Sequence, residues 1–138
     1  MKRMIVMAVS LLALAACSGG KQAKLQGLCT GMLEGDPDAV QELASFNTSA
    51  KPFCECYAKT ASAGGDAVLK LHTDVWSTLS EINQKTGNTD IESAVEALEG
   101  ALRSGASEYG FDEAAFEGIG EYLEDVSEQF GENGTCTL

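Results

Sequence analysis

Positive charge is scarce in this chain. Nine Lys and Arg stand against 21 Asp and Glu, a formal charge of −12 at pH 7. Such a surface repels a phosphate backbone and anionic lipid headgroups, so nucleic acid is excluded as a partner and a cationic one is favoured. Histidine is nearly absent as well: His72 stands alone. No C-x-x-C, G-x-S-x-G or H-E-x-x-H occurs, so dithiol redox chemistry, the hydrolase nucleophile elbow and the zinc-protease helix all lack their local signatures. Asp36 and Asp38 fail the EF-hand spacing, which leaves calcium unsupported. No apolar–polar alternation marks a strand, and no repeat or low-complexity tract is present.

Long apolar runs are confined to the beginning, MKRMIVMAVSLLALAACSGG. Lys2 and Arg3 precede an apolar stretch, residues 5–14, too short to span a bilayer as a helix, and Ala15 and Ala16 are the small residues a signal peptidase requires. The end of this segment, Leu14-Ala15-Ala16-Cys17, resembles the lipobox of bacterial lipoproteins. That resemblance covers the export signal alone. It implies cleavage before Cys17, diacylation of its sulfur and acylation of the new amino terminus, hence a membrane partner reached through lipid. Ser18, where an Asp would favour retention in the inner membrane, implies the periplasmic face of the outer membrane. The expected organisation is a signal peptide over 1–16, a lipid-anchored coil tether over 17–24, and one acidic helical domain over 25–138.

Cleavage would remove Lys2 and Arg3, leaving seven basic residues against 21 acidic ones, or −14. Thirteen of those acids lie in residues 86–138, where Arg103 is the only base. Five cysteines less Cys17 leave four, Cys29, Cys54, Cys56 and Cys136, an even number for an oxidising compartment. Two disulfides are the expectation.

Apolar residues recur at helical spacing throughout the rest. Leu25, Leu28, Cys29 and Met32 predict a first helix ending at Gly35. Asp36 as cap and Pro37 predict a second, with Val40, Leu43 and Phe46 inward. Pro52 sits in the first turn of a third that ends at Gly64 and Gly65. A long fourth helix runs from Asp66 to Gly87 with Val68, Leu71, Val75, Leu79 and Ile82 on one face, widened by Leu69 and Trp76. Thr89 and Glu92 form a capping-box pattern before the stripe Ile91, Ala94, Val95, Leu98 and Leu102. Asp112 caps a last helix with Ala115, Phe116, Ile119, Leu123, Val126 and Phe130 inward, closed by Gly131. The fold class is therefore all-α, a small disulfide-stapled bundle of five to six helices.

Cys54 and Cys56 lie two apart on a helix, about 200° of rotation, so their sulfurs point to opposite sides and share no partner. With Phe53, Cys56, Tyr57 and Thr60 as the inward stripe, the preferred pairing is Cys29 with Cys56 and Cys54 with Cys136; Cys29 with Cys54 and Cys56 with Cys136 satisfies the same rule, because sequence does not fix connectivity. The same divergence argues against a C-x-C metal clamp, and neither a metal nor a cofactor is expected. His72 falls on the apolar stripe with Val68 and Trp76, which makes it a packed histidine. Gly118 and Gly120 inside the last helix cost about 1 kcal/mol each relative to Ala, which points to a close approach there. The expected function is that of a non-enzymatic envelope lipoprotein, a binding or accessory module whose acidic face, with Glu113, Glu117, Glu121 and Glu124, meets a cationic protein. The alternative is a small-molecule, metal-handling or hydrolytic module with a pocket near His72 and Trp76.

Overall fold

The computed structural model describes residues 15–105 and 108–137, with side chains from residue 19 onward. Residues 1–14 of the expected signal peptide over 1–16, and the side chain of Cys17, lie outside that description. The described residues form six α-helices and no strand: α1 (Ala15–Gly35), α2 (Pro37–Ser45), α3 (Ala50–Ala63), α4 (Asp66–Thr86), α5 (Ile91–Arg103) and α6 (Glu113–Asn133). The all-α, disulfide-stapled class expected from the periodicity is what the chain adopts.

Helix α3 is the centre. It packs against α1 on one side, α6 on another and α4 on a third, and α4 in turn packs on α1 and α5. Its buried residues, Ala50, Phe53, Cys54, Cys56, Tyr57, Ala58 and Ala61, therefore occupy most of its circumference rather than one stripe. The three buried alanines allow neighbouring backbones to come close, while Phe53 meets Phe130 of α6 with ring centroids 5.9 Å apart.

Burial on several sides corrects the preferred disulfide pairing. Cys54 faces α1 and bonds Cys29, and Cys56 faces α6 and bonds Cys136 of the tail, with Cα separations of 5.7 and 5.6 Å. The sulfurs do diverge as the helical rotation requires. The preferred pairing failed because it assumed a single inward face, with Cys56 on it and Cys54 on a flank, whereas both positions are covered. The bridges close loops of 25 and 80 residues, which in the chain-entropy picture stabilise by about 3.5 and about 4.5 kcal/mol.

Asp36 makes a connection that the sequence pattern shows only in part. Its Oδ1 accepts from the amides of Asp38 (2.9 Å) and Ala39 (3.3 Å), capping α2 as expected. Its Oδ2 accepts from the amide of Ile91 (3.0 Å), the first residue of α5, so one buried carboxylate caps two helices 55 residues apart.

Several element-level expectations are corrected. Residues 17–24 are part of α1 instead of a coil, since Lys21, Gln22, Ala23 and Lys24 are good helix formers that extend the helix across Gly19 and Gly20. Val40 is 47% exposed, because α2 packs on α1 and reaches the core only through Leu43, with Phe46 half-buried beyond it. Asp90, not Thr89, caps α5, its carboxylate accepting from the Glu92 amide at 3.0 Å. Gly131 is interior to α6, where an added Cβ would stand 3.6 Å from the Phe46 ring, and Gly134, in the left-handed region, ends the helix and turns Cys136 back toward Cys56.

Two outcomes are expected. Peptide mapping without reduction should link Cys29 to Cys54 and Cys56 to Cys136, and mild reduction should open the second first, since Cys136 is the one partly exposed cysteine of the four; a Cys29–Cys56 peptide would contradict the packing of α3. Asp36→Ala should destabilise by about 2 to 4 kcal/mol, a lost cap plus a buried amide without a partner, and Asp36→Asn by less, as read from chemical denaturation.

Candidate functional site

Two regions carry the chemistry-bearing side chains, one buried and one on the surface. The buried one is a hydrogen-bonded chain between α3 and α4. Tyr57, His72 and Trp76 are each at most 3% exposed. Trp76 Nε1–H donates to Tyr57 Oη at 3.0 Å, and the Tyr57 hydroxyl lies 2.5 Å from His72 Nδ1. Having accepted from the indole, the hydroxyl has its own proton to give, and His72 Nδ1 is its acceptor; the imidazole then carries its proton on Nε2. Tyr122 of α6 packs edge-on against the ring with centroids 4.6 Å apart.

Burial fixes the protonation of this chain. It pushes His72 from an ordinary 6.5 down to about 4, and it raises the Tyr57 hydroxyl well above its ordinary value of 10, against the lowering effect of the Trp76 hydrogen bond. A neutral imidazole whose acceptor nitrogen is already engaged is a poor general base near neutrality. His72 is thus the packed histidine its stripe implies, and it locks α4 to α3.

The surface region is built by α5 and α6. Phe116, Ile119, Val126 and Phe130 point inward from α6, as do Ala94, Leu98 and Leu102 from α5. That leaves Glu117, Glu121, Glu124, Asp125 and Glu128 of α6 and Glu92 and Glu96 of α5 exposed, with Glu99 and Glu113 partly so. Arg103 bridges the two helices, its guanidinium bonding Glu113 at 2.8 Å and Glu99 at 3.4 Å. The four glutamates predicted for binding are therefore on one helix but not equivalent: Glu113 is ion-paired, while Glu117, Glu121 and Glu124 have no cation within ion-pair distance among the described residues.

Between α5 and α6, above α4, runs an apolar crevice of about 390 Å³. Trp76, Val75 and Leu79 lie on its α4 side, Ile91 and Val95 on α5, Phe116, Ile119 and Leu123 on α6, and Glu99, Glu117 and Gly120 complete its lining. The sequence pointed to Trp76 together with His72; the structure separates them, since Trp76 lines the crevice and His72 does not. The close approach expected at Gly118 and Gly120 is also corrected: a Cβ at either position meets nothing within 4 Å. Sequence periodicity assigned Leu123, Ile91 and Val95 to the core, and the crevice lies where α5 and α6 touch only sparsely and leave them half-covered.

Among the described residues no group of three or more His, Cys, Asp and Glu side chains is placed to hold a metal ion, and no helix is long and apolar enough to cross a membrane. Comparison with known proteins gives no match to a family model, a curated protein or a solved structure.

The single histidine makes one prediction simple to read. With a folded pKa below the unfolded value of 6.5, the unfolded chain takes the proton first, so His72 removes stability as pH falls from 6.5 toward 4, on the order of 2 kcal/mol once nearby water is allowed for. The one imidazole resonance should titrate near pH 4, and titration near 6.5 would show the ring to be solvated.

Proposed function

We propose that the protein is a non-enzymatic cell-envelope lipoprotein, tethered through lipid at Cys17 on the periplasmic face of the outer membrane, that binds a cationic protein through the acidic face of α5 and α6. The observation that supports it best is the arrangement of carboxylates on those helices. Their apolar residues are buried and their acids exposed, and the one base, Arg103, is already engaged by Glu99 and Glu113. An uncompensated field of this kind attracts a positive partner from a distance and aligns it, over a Debye length of about 8 to 10 Å at physiological salt. Two disulfides and a core that reaches into α6 support a rigid presentation of the face, which limits the ordering entropy lost on binding.

The test has two arms. Cys17→Ala should abolish metabolic labelling with a fatty acid and release the protein from membranes; unchanged membrane association would remove the anchor from the proposal. Glu117, Glu121 and Glu124 changed together to Gln should weaken capture of envelope partners about tenfold at low salt while leaving the melting temperature equal or slightly higher, since like-charge pairs at i,i+3 and i,i+4 cost about 0.2 to 0.5 kcal/mol each. A neutralised variant that retains every partner, with association indifferent to salt, would sink the recognition role.

A further inference from the structure

The crevice between α5 and α6 has one wall that the fold does not explain. Gly120 sits in the middle of α6, with no left-handed backbone and no neighbour that a side chain would strike. A glycine inside a helix is unfavourable relative to alanine, so at a position that folding leaves free it weakens the helix without a packing return. Its effect lies in the crevice: Gly120 forms part of the lining, and since an added Cβ meets no atom within 4 Å, a larger side chain there would occupy open space at the crevice wall. The floor is apolar, Trp76, Leu79, Phe116 and Ile119, all nearly inaccessible, while Ile91, Val95 and Leu123 near the mouth are half-exposed.

The rim is as distinctive in charge. Glu99 and Glu117 line the crevice directly, and Glu113, Glu121 and Glu124 continue along α6, with Arg103 taken up by Glu99 and Glu113. An occupant complementary to both features carries apolar groups for the slot and positive charge on either side. A space of about 390 Å³ accepts one or two large side chains rather than a whole helix, which suits the anchors of a helix lying across the opening.

We infer that the α5–α6 crevice takes the apolar anchor residues of a cationic amphipathic helix on a partner protein, with Gly120 keeping the slot open and Glu117 and its neighbours pairing with the basic flanks. This rests on the acidic-face reading and narrows it to a site and a ligand form. Shape and charge act on separate parts of the ligand, so the two readings can fail separately.

Trp76, the only tryptophan, reports from the floor of the crevice. The probes are three tryptophan-free helical peptides: leucine–lysine with leucines at i, i+3, i+4 and i+7, leucine–glutamate with the same apolar pattern, and lysine–serine with the same charge. They are titrated into the full-length protein held in zwitterionic nanodiscs, with empty nanodiscs as the blank. The expected result is that the leucine–lysine peptide alone shifts Trp76 emission, and that Gly120→Leu weakens it about tenfold. Gly118→Ala, a change on the same helix outside the crevice, should raise the melting temperature and leave binding intact. Should Gly120→Leu fail to fold by circular dichroism, Gly120→Ala serves instead, with a loss of about threefold. Equal binding of the lysine–serine peptide would overturn the crevice and spare the acidic face. Equal binding of the leucine–glutamate peptide, or indifference to both Gly120 variants, would overturn the inference too, and silence from all three peptides would overturn both readings.

Discussion

Three helices, α1, α4 and α6, take their places from the burial of α3 on more than one side, and α2 and α5 pack on these. A helix covered by a single neighbour carries one apolar stripe; α3 is covered by α1, α4 and α6, and it meets them with alanines and with two cysteines that a 200° rotation sends in different directions. Cys54 ties it to α1 and Cys56 to the tail beyond α6, so the covalent links run outward from the centre to the first helix and to the segment that follows the last. Tyr57, one position past Cys56, completes the set by bonding His72 and Trp76 of α4. One stretch of α3 thus holds three partners by different means: two covalent bonds and a buried polar chain whose members satisfy one another.

That arrangement also shows which parts of the structure were legible beforehand. Helix existence was, because a 3.6-residue period and the breaks at Gly35, Gly64 and Gly87 are local properties, as are the caps at Asp36 and Asp112. The disulfide partners were not. Periodicity tells which residues a helix would rather bury, but the number of neighbours covering it is a property of the whole bundle, and α3 differs from a stripe-bearing helix only in that count. The error at Val40 is the converse: an apolar residue left exposed on a helix that buries only Leu43. Asp36 shows a third kind of limit, since its local cap was visible and its bond to the Ile91 amide depends on a contact across 55 residues.

The acidic half separates two roles that net charge alone merges. Exposed ion pairs such as Lys59 with Glu55 contribute little to stability, and an unpaired surface carboxylate contributes less. Repulsion along α6 opposes folding slightly, and the helix tolerates it because Phe116, Ile119, Val126 and Phe130 are buried against the core and because the Cys56–Cys136 bond holds its far end. The staple and the aromatic contact of Phe53 with Phe130 therefore permit a charge distribution that an unstapled helix of the same sequence would carry less easily.

The crevice follows from the same balance. Where α6 runs beside α3 it is drawn in by Phe130 and the disulfide; where it runs beside α5 the polar tie is Arg103 of α5 with Glu113 of α6, an exposed link of modest strength. Weak attachment at that end leaves Ile91, Val95 and Leu123 half-covered, and a glycine at 120 leaves the gap unfilled. A leucine in its place would reach into the open space beside these half-covered residues. The absence of one keeps apolar surface available next to carboxylates, a combination that stability does not demand and that a ligand with both characters would use.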